Sequence, residues 1–343
     1  AFGVLPAALR EFGLVGTALL APIAGGLLLL PYAAGAVGLT VLAKRVLVGR
    51  YRAGRVPVWG GFYTRHWVVV HTARLIPWGL VQGTVFHAAV LRALGAAVGR
   101  RVHVHTGVDL SGGGWDLLTI GDDVTVCQDA EVRAVDLEAG QLVTGPVALG
   151  DGATVDVHAG LSPGSGVGRN GYLAALSWLP PGGRVPDGER WDGVPAGPAG
   201  ASPEPPAVGG RQLSPVAHGA LVVLGRCLAG GAWWLPVVAL AAAAEAVAPD
   251  AATRVLAWLE GPSGSWVDLV WLCAAVVASV PLGVAVRGLA CRLLGPVRPG
   301  VVGQFSLGAI RIGLKTGLVD SANRWLSGSL FWPWWLRLAG MRV

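Results

Sequence analysis

Aliphatic residues recur every six positions in the middle of the chain. In LGDGATVDVHAGLSPGSGVG, Leu149, Val155, Leu161 and Val167 are spaced by six, and small or turn-forming residues fill the intervals. A strand alternates with a period of two and a helix with a period of 3.6, so neither element alone produces this spacing. A prism produces it, because each short strand points one aliphatic side chain inward before a tight turn. The pattern predicts a hexapeptide β-helix.

The same spacing occurs earlier in the chain. The earlier members are Val102 and Val108, followed by Ile120, Val126 and Val132. Stacked coils of such a prism pair each strand with the strand above it, at about 4.8 Å. Two stretches interrupt the spacing, and we expect residues 111–117 and 136–146 to be loops that project from the prism.

Long apolar runs flank the repeat. Residues 12–43 carry no charge before Lys44, and further apolar runs cover about 219–247 and 269–286. A bilayer core requires about 20 apolar residues, so these runs predict membrane spans, with buried core helices as the alternative. Pro31 leaves open whether the first run is one kinked helix or a hairpin.

Basic residues set the predicted orientation of the spans. Lysine and arginine follow the first and third runs, whereas the loop at 248–268 is richer in acidic residues. The positive-inside rule places residues 44–215 and the C-terminal stretch in the cytoplasm. We therefore expect a multi-pass protein of the inner or plasma membrane, with the β-helix on the cytoplasmic side.

Residues 56–97 mix aromatic and basic side chains at roughly helical spacing. This texture is typical of amphipathic helices in the lipid headgroup plane, and helices packed on a soluble domain are the alternative. GTVFHAAVLRALGA (83–96) aligns with GSLFWPWWLRLAGM (328–341), and YRAGRVPVWG (51–60) resembles VRPGVVGQF (297–305). The chain thus contains one unit of membrane run, interfacial segment and soluble domain, and the beginning of a second unit.

These patterns divide the chain into six segments. The expected segments are a transmembrane part (1–48), interfacial helices (49–97), the β-helix (98–200), a Pro/Gly linker (201–216), a transmembrane helix pair (217–294) and a second interfacial segment (295–343). The chain begins at Ala1, holds a single methionine and shows no signal-peptide pattern. We expect it to be an internal piece of a longer polypeptide.

Composition agrees with a membrane protein. Charged residues are 13% of the 343 residues, against about 25% in ordinary soluble domains. The net charge of +6 fits anionic lipid headgroups better than nucleic acid, because the chain also contains long apolar runs. The four cysteines lack CxxC spacing and partner histidines at zinc-ligand intervals, so we expect unpaired thiols and no metal.

Two motifs resemble a known superfamily. PVALGDGATV (146–155) is similar to the P-I-x-I-G-x-x-x-x-I-G coil of left-handed β-helix acyltransferases, and WDGVPAGPA (191–199) is similar to their terminal loop. With its flanking spans, the chain resembles the C-terminal membrane region of ε-poly-L-lysine synthetase-like nonribosomal peptide synthetases. The implied fold class is membrane α plus all-β: transmembrane helices with a left-handed parallel β-helix.

The resemblance also implies a function. Adenylation and carrier domains lie upstream in that family, and three tandem soluble domains ringed by six transmembrane helices follow. The implied activity is amide-bond formation that polymerises amino acids, with lysine the expected monomer. The implied cofactors are 4'-phosphopantetheine on the carrier domain and ATP used by the adenylation domain, with no metal. The partners are the lipid bilayer, the amino-acid monomer and the growing polymer, with no nucleic acid and a possible homo-oligomer.

Two alternatives remain open for the β-helix. The first alternative to the catalytic role is a degenerate scaffold in the same synthetase, and the second is an O-acetyltransferase of a surface polysaccharide. In the superfamily a histidine base precedes the P-I-x-I-G coil by about a dozen residues. Val135 and Asp136 occupy that slot here, which favours the scaffold and makes Asp136 a weak candidate base. His103, His105 and His158 are the other candidate catalytic residues, with surface or stacking histidines as the alternative.

Further residues are candidates for binding. The acidic side chains Asp109, Asp129 and Glu138, with Trp191, are candidates for a cleft that holds a lysine-like substrate; the alternative is that such acids cap turns. Coenzyme A-using relatives carry Lys or Arg after the terminal loop, where this chain has Gly197, Pro198 and Ala199. A carrier-borne phosphopantetheine arm is therefore expected in place of free coenzyme A. The candidate residues for that arm are Arg184, Arg190 and Pro195.

Overall fold

The chain divides into two compact units in a computed structural model that describes residues 4–105, 107–204, 212–260 and 265–342. The β-helix unit comprises Pro31–Leu221 and Val301–Ser306. The helical unit comprises residues 1–30, 222–300 and 307–343. Each unit is described separately below.

The N-terminal elements are helical apart from one strand. They are α1 (Val4–Leu47), β1 (Gly54–Pro57), α2 (Gly61–Ala73), α3 (Trp78–Val81) and α4 (Val85–Ala93). Helix α1 runs through Pro31 and departs from helical geometry at Gly13, where φ is 67°. The hairpin interpretation of the first apolar run is therefore wrong, because the chain stays helical from Leu14 through Pro31 to Leu47.

The prism follows, built from very short strands. They are β2 (Ala97–Val98), β3 (His103–Val104), β4 (Leu118–Ile120), β5 (Thr125–Val126), β6 (Glu131–Val132), β7 (Val135–Glu138), β8 (Gln141–Thr144), β9 (Val147–Leu149), β10 (Thr154–Val155), β11 (Gly160–Leu161), β12 (Gly166–Val167), β13 (Tyr172–Leu173), β14 (Trp178–Leu179), β15 (Arg184–Val185), β16 (Glu189–Gly193) and β17 (Ala196–Ala201). A 3-10 helix covers Trp115–Leu117.

Three sheets form the faces of this left-handed parallel β-helix. The first face has the order β15-β12-β9-β4-β2, the second has β17-β16-β13-β10-β5-β3, and the third has β14-β11-β6. Leu149 pairs with Val167, which pairs with Val185, so one coil takes 18 residues. The aliphatic side chains of the hexads fill the interior of the prism. The predicted β-helix is confirmed, and its hexads continue beyond Val167 to Leu173, Leu179 and Val185.

The first coil has a different register from the predicted one. Val98 pairs with Ile120, and Val104 pairs with Val126, so these two residues begin the inward columns. Val102 lies two positions before Val104, at the place that Ala153 takes before Val155. The prediction that Val102 and Val108 belong to the inward column was therefore wrong. They lie two positions before the column residues, and that position is also apolar and repeats every six residues.

Both predicted insertions leave the prism. Residues 136–146 lie in a hairpin of β7 and β8, and β1 pairs with β8 antiparallel, Gly54 opposite Thr144. Residues 111–117 contain the 3-10 helix. These loops are confirmed as interruptions of the hexad spacing.

Helices α2 and α4 pack on the β-helix. Val69 and Ala73 of α2 and Leu91 of α4 are fully buried in the same apolar cluster as the prism interior. Both helices therefore have a face committed to a protein core. Contact of their other faces with lipid headgroups stays a prediction.

The helical unit continues from α5, which begins in the β-helix unit. Its elements are α5 (Pro215–Ala232), α6 (Leu235–Val247), α7 (Ala251–Glu260), α8 (Trp266–Leu293), α9 (Leu307–Leu326) and α10 (Phe331–Leu338). Three stretches of the described chain are long and apolar enough to cross a membrane, namely Leu5–Leu47, Pro215–Val247 and Trp266–Leu293. They coincide with the three predicted runs. The four cysteines are free.

Candidate active site

A cavity of about 740 Å³ lies beside the third face of the prism. The first coil contributes β2 and β3 to the first and second faces, but among the described residues it contributes no strand to the third. The insertion at 111–117 replaces that strand. Strand β6 is therefore the edge strand of the third face, and the cavity lies next to this edge.

Three segments line the cavity besides β6. Helix α2 lies on one side, the loop at 107–118 forms the floor, and the hairpin of β7 and β8 forms the opposite wall. The polar lining residues are Tyr63, His66, His71, Arg74, Asp109, Asp129, Glu131, Arg133, Asp136 and His158. The concave shape and the mixed polar lining make this cavity the candidate active site.

Four residues predicted from the sequence line this cavity. They are Asp136 and His158, expected to be catalytic, and Asp109 and Asp129, expected to bind substrate. Residues far apart in the chain meet here because successive coils stack 18 residues apart and the hairpin folds back over β6.

The other predicted site residues lie elsewhere. His103 and His105 are on or beside β3 in the second face, with ring centroids 6.2 Å apart, and do not line the cavity. They do share one side of a strand, as the spacing predicted. Glu138, on the hairpin, forms an exposed ion pair with Arg55 at 2.9 Å.

Trp191, predicted for the substrate cleft, and the three candidates for the phosphopantetheine arm lie in or between β15, β16 and β17. Trp191 lies in β16 and donates its indole N–H to Glu189 Oε2 at 2.9 Å. Arg190 Nη2 lies 3.2 Å from Asp192 Oδ2. Arg184 is exposed on β15, and Pro195 follows a cis peptide bond from Val194. None of these lines the cavity, so they constitute a separate surface.

Arg133 is held among acidic and aromatic groups inside the cavity. Its guanidinium lies 2.6 Å from Glu131 Oε2 and 3.5 Å from Asp136 Oδ1. It also lies 5.7 Å from the ring centroid of Trp178, at cation–π distance. Asp136 Oδ1 additionally accepts the Leu137 N–H at 2.8 Å. The carboxylate in the histidine slot is thus engaged in structural contacts.

Asp129 and His158 occupy a corner of the prism. Their φ angles are 54° and 56°, in the left-handed region, which the tight corner of each coil requires. His158 Nε2 lies 3.9 Å from Asp129 Oδ2, and the His158 side chain is half exposed. Its position follows from coil stacking, which supports the structural interpretation of this histidine.

A buried histidine missed by the sequence reasoning enters the cavity from α2. His66 is 7% exposed, and its Nδ1 lies 3.0 Å from the hydroxyl of Tyr51, which is 2% exposed. Burial lowers the pKa of His66 to about 4, so the imidazole is neutral near pH 7. Burial, with Asp116 as the smaller cause, raises the pKa of Tyr51. The pair therefore consists of a neutral imidazole and a protonated phenol.

A buried ion pair holds this histidine–tyrosine pair in place. Lys44 Nζ lies 2.7 Å from Asp116 Oδ1, and both side chains are 8% exposed. The other carboxylate oxygen, Asp116 Oδ2, accepts the backbone N–H of Tyr51 at 2.9 Å. Trp115 packs edge-on against the Tyr51 ring at 6.3 Å. The end of α1 is thus connected to the cavity floor through one carboxylate.

No sequence signal distinguished His66 from its neighbours. It lies between Arg65 and Trp67 in the segment predicted to be interfacial, where an exposed histidine is equally compatible with the pattern. Its burial depends on contacts with Tyr51 and Gly113, which only the folded chain supplies. Among the described residues, no group of three or more His, Cys, Asp or Glu is placed to hold a metal ion.

Comparisons with known proteins give one relative by sequence and several by shape. No protein-family model matches the chain. The delta-poly-L-ornithine synthetase of Acinetobacter baumannii (strain AB307-0294) is 32% identical over 161 residues, which is 46% of this chain and 12% of that protein. The chain thus spans about an eighth of the length of that relative.

Several solved acetyltransferase structures are similar in shape to part of the chain. A maltose O-acetyltransferase from Clostridium difficile has 16% identity and a TM-score of 0.34, covering 47% of this chain and 97% of its own. A serine acetyltransferase from Neisseria gonorrhoeae has 16% identity and a TM-score of 0.28, covering 51% and 69%. By sequence, the chain is similar to part of a poly-ornithine synthetase.

Proposed function

We propose that this chain is part of a membrane-bound synthetase that joins basic amino acids into a polyamide. The β-helix unit serves as its acyltransferase-like domain. The 32% identity to a delta-poly-L-ornithine synthetase over 161 residues carries the proposal. The three long apolar helices support membrane attachment, and the cavity beside the third face supports a substrate site.

The cavity lining fits an acceptor that carries an ammonium group. Four carboxylates face it, from Asp109, Asp129, Glu131 and Asp136. Arg133 engages the last two. Asp109 accepts the backbone N–H of Ser111 at 2.8 Å and Asp129 accepts an amide N–H of Gln128 at 3.1 Å, so we assign these two acids to a substrate cation. Lysine and ornithine differ by one methylene, and a pocket distinguishes two substrates that differ by one methylene by only about 1–3 kcal/mol of binding free energy. We therefore assign the substrate class as a basic diamino acid, with lysine and ornithine as its members.

The activated acyl group comes from outside the residues of the cavity. A carrier-bound phosphopantetheine thioester would supply the electrophilic carbonyl, and ATP-dependent adenylation would load it. Arg184, exposed on the last coil, fits a phosphate of such an arm, whereas Arg190 is engaged by Asp192. The cavity residues bind and orient the acceptor amine. The β-helix then faces the cytoplasm, where ATP and the monomer are available.

Polymer formation in membranes tests this proposal. Membranes from cells that produce the full-length protein are incubated with ATP and radiolabelled lysine or ornithine, and the product is sized by mass spectrometry. We expect a cationic homopolymer from one of the two, and less of it from Asp109→Asn and Asp129→Asn. Asp187→Asn is the matched control, because Asp187 forms an exposed ion pair with Arg169 away from the cavity. Absence of polymer from every amino acid supplied would overturn the proposal.

A scaffold role is the second candidate, and one observation favours it. Asp136, in the histidine slot of the superfamily, is occupied by Arg133 and by the backbone of Leu137. A domain with a disabled slot still docks a carrier and supports a neighbouring catalytic domain. Normal polymer from the Asp109, Asp129 and Asp136 variants would favour the scaffold over the enzyme.

A further inference from the structure

An aromatic stripe leads along α2 into the cavity. It consists of Trp59, Tyr63, Trp67 and His71, which follow one another at intervals of four residues. Residues four apart share one face of a helix, and the last three belong to α2 and line the cavity. The ring centroids of Trp59 and Tyr63 are 5.7 Å apart, and those of Trp67 and His71 are 3.8 Å apart. The stripe therefore connects the surface of the β-helix unit with the cavity.

The outer end of the stripe is exposed and conformationally unfavourable. Trp59 is 86% exposed and Trp67 is 49% exposed, so neither indole is committed to a core. The φ angle of Trp59 is 72°, in the left-handed region that bulky residues rarely adopt. Packing does not account for an exposed indole held in such a conformation. Backbone strain of this kind clusters at functional sites.

The groups that share the cavity with the stripe suit alkylammonium ions. Four carboxylates line it against two arginines, and one of these, Arg133, is engaged by acids. The faces of tryptophan and tyrosine attract cations through the quadrupole of the ring. On the hairpin, Leu137 and Leu142 supply an apolar lining for methylene groups, and Leu137 is 59% exposed. Cation and hydrocarbon are thus both accommodated along one groove.

The dimensions of the stripe fit a chain better than a monomer. From Tyr63 to His71, eight helical residues at 1.5 Å each span about 12 Å. An extended peptide covers that distance with about three to four residues. Beyond Tyr63, the stripe continues to Trp59, near the tip of the hairpin, because the adjacent Val58 donates its N–H to the Gly140 carbonyl at 3.0 Å.

A lipid headgroup fits the stripe less well than a polycation. Lipid phosphates are repelled by the carboxylates of the cavity. The second copy of the internal repeat provides a further argument, since its corresponding stretch, GAIRIGLKTG (308–317), contains no aromatic residue. An aromatic face that served only to contact lipid would be expected in both predicted interfacial segments. The stripe instead accompanies the copy that has the cavity.

We propose that the aromatic stripe is a binding site for a polycationic chain, which it guides from the cavity to Trp59. This inference rests on the proposed function and identifies the site of the growing polymer. Cation–π contacts with Tyr63, Trp67 and Trp59 hold successive ammonium groups. Asp109 and Asp129 hold the ammonium group that lies within the cavity.

Binding of a defined oligocation tests this site without any turnover. The full-length protein is purified in detergent, and fluorescein-labelled hexalysine is titrated by fluorescence anisotropy. We expect Trp67→Leu and Trp59→Leu each to weaken binding about two- to fivefold, the loss of one exposed cation–π contact, and the double variant about tenfold. Trp67→Phe should retain most of the affinity, because it keeps an aromatic face. Hexalysine with acetylated side chains should not bind.

Trp334→Leu is the matched control. Trp334 is 74% exposed in the helical unit and does not line the cavity. We expect its affinity for hexalysine to equal that of wild type. Equal affinity of the Trp67→Leu and Trp59→Leu variants, or equal binding of the acetylated probe, would overturn the inference and return the stripe to the predicted contact with lipid headgroups.

The length of the polymer separates this inference from the proposed function. In membranes that receive ATP and the amino acid, we expect the Trp59→Leu, Trp67→Leu double variant to make polymer whose mean length is at least about twofold shorter. A raised KM for the amino acid with unchanged length would assign the stripe to the monomer and overturn the inference alone. If wild type makes no polymer, the proposed function falls, and the growing polymer falls with it as the occupant.

Discussion

The two copies of the internal repeat fold alike but differ in the residues at the cavity. Residues 83–96 and 328–341 each form one short helix between two glycines. The φ angles are 72° and 111° at Gly83 and Gly95, and 74° and 85° at Gly328 and Gly340. The C-terminal hydrogen bonds also correspond, with lengths of 3.0 Å from Ala96 N to Leu91 O and 2.9 Å from Met341 N to Leu336 O.

The differences begin upstream of these helices. The alignment of residues 51–60 with 297–305 places Val297 at the position of Tyr51 and, extended upstream, Ala290 at that of Lys44. One residue of the first copy has no counterpart before residues 83–96 and 328–341, so His66 aligns with Ile312 or with Arg311, neither of which is a histidine. The shared glycines and apolar positions specify the helices, because the two helices form alike although Lys44, Tyr51 and His66 are not repeated.

The repeat also shows how one proline changes a helix. Helix α9 is continuous through Asn323, whereas α2 ends at Ala73, four residues before the aligned Pro77. Proline has no N–H to donate to the Ala73 carbonyl. The backbone N–H of Ile76 and the indole N–H of Trp78 donate to that carbonyl instead, at 3.1 and 2.9 Å.

The largest expected effect comes from the buried ion pair of Lys44 with Asp116, since the position aligned with Lys44 in the second copy is not a lysine. Asp116→Ala leaves the Lys44 ammonium buried without its carboxylate and removes the acceptor of the Tyr51 N–H. We expect the free energy of unfolding to fall by about 3–5 kcal/mol, as for other broken buried pairs. Thermal denaturation in detergent measures this loss. Lys44→Ala combined with Asp116→Ala should recover part of it, and additive losses would contradict the coupling.

Matched glycines test whether the first copy is more constrained. Gly95→Ala and Gly340→Ala both place a Cβ at positive φ, which costs about 1–2 kcal/mol. The new Cβ at Gly95 would lie 2.5 Å from Asp116 Oδ1, whereas the nearest atom at Gly340 is Arg292 Cγ at 3.5 Å. We expect Gly95→Ala to lower the melting temperature clearly more than Gly340→Ala. Equal shifts in melting temperature would show that the Asp116 side chain moves away from the new Cβ at no cost in stability.

His87 sharpens the comparison through pH, because Trp332 takes its place in the second copy. Burial lowers the pKa of His87 to about 4, and neither ring nitrogen has a hydrogen-bond partner among the described residues. The unfolded chain therefore takes up a proton first as the pH falls. The contribution of His87 to stability is complete above about pH 6.5 and is lost towards pH 4.

Replacing His87 should make the free energy of unfolding depend less on pH under acidic conditions. With His87→Phe, we expect the slope between pH 6.5 and 4 to decrease by up to about 1.4 kcal/mol per pH unit. Denaturation at pH 7.5, 6 and 5 measures the slope. Trp332→Phe is the control and should leave it unchanged. An unaltered slope for His87→Phe would place the acid sensitivity in His66 and His103, whose pKa values are lowered in the same way.

Arg92 gives the smallest expected effect. Its guanidinium donates to the carbonyls of Val98 and Gly99, which ties α4 to the first coil. Arg92→Met should cost about 1 kcal/mol, since the side chain is exposed and water replaces the lost donors. Arg169→Met, which breaks an exposed ion pair, should cost less. Thermal denaturation of the two variants side by side checks the order.

Much of the fold followed from local pattern, whereas the position of each candidate site residue did so only in part. The hexads at Leu149 to Val167 specify inward columns because each strand must bury one aliphatic side chain per turn. Asp109 and Asp136 line the cavity, since loops that interrupt the hexads must project beside the prism. Glu138 and His103 do not line it, because hexad spacing does not show which face or wall borders the cavity.

By itself, the sequence determined the period-six prism, the apolar helices and the repeated helix between glycines, because each depends on neighbours in the chain. Only the tertiary structure decided the cavity and the buried histidine that lines it. His66, Tyr51 and Asp116 are separated by up to 65 residues and meet through long-range packing of α1, α2 and the 107–118 loop. Burial then sets the protonation of His66, and burial is a property of the folded chain rather than of any local pattern.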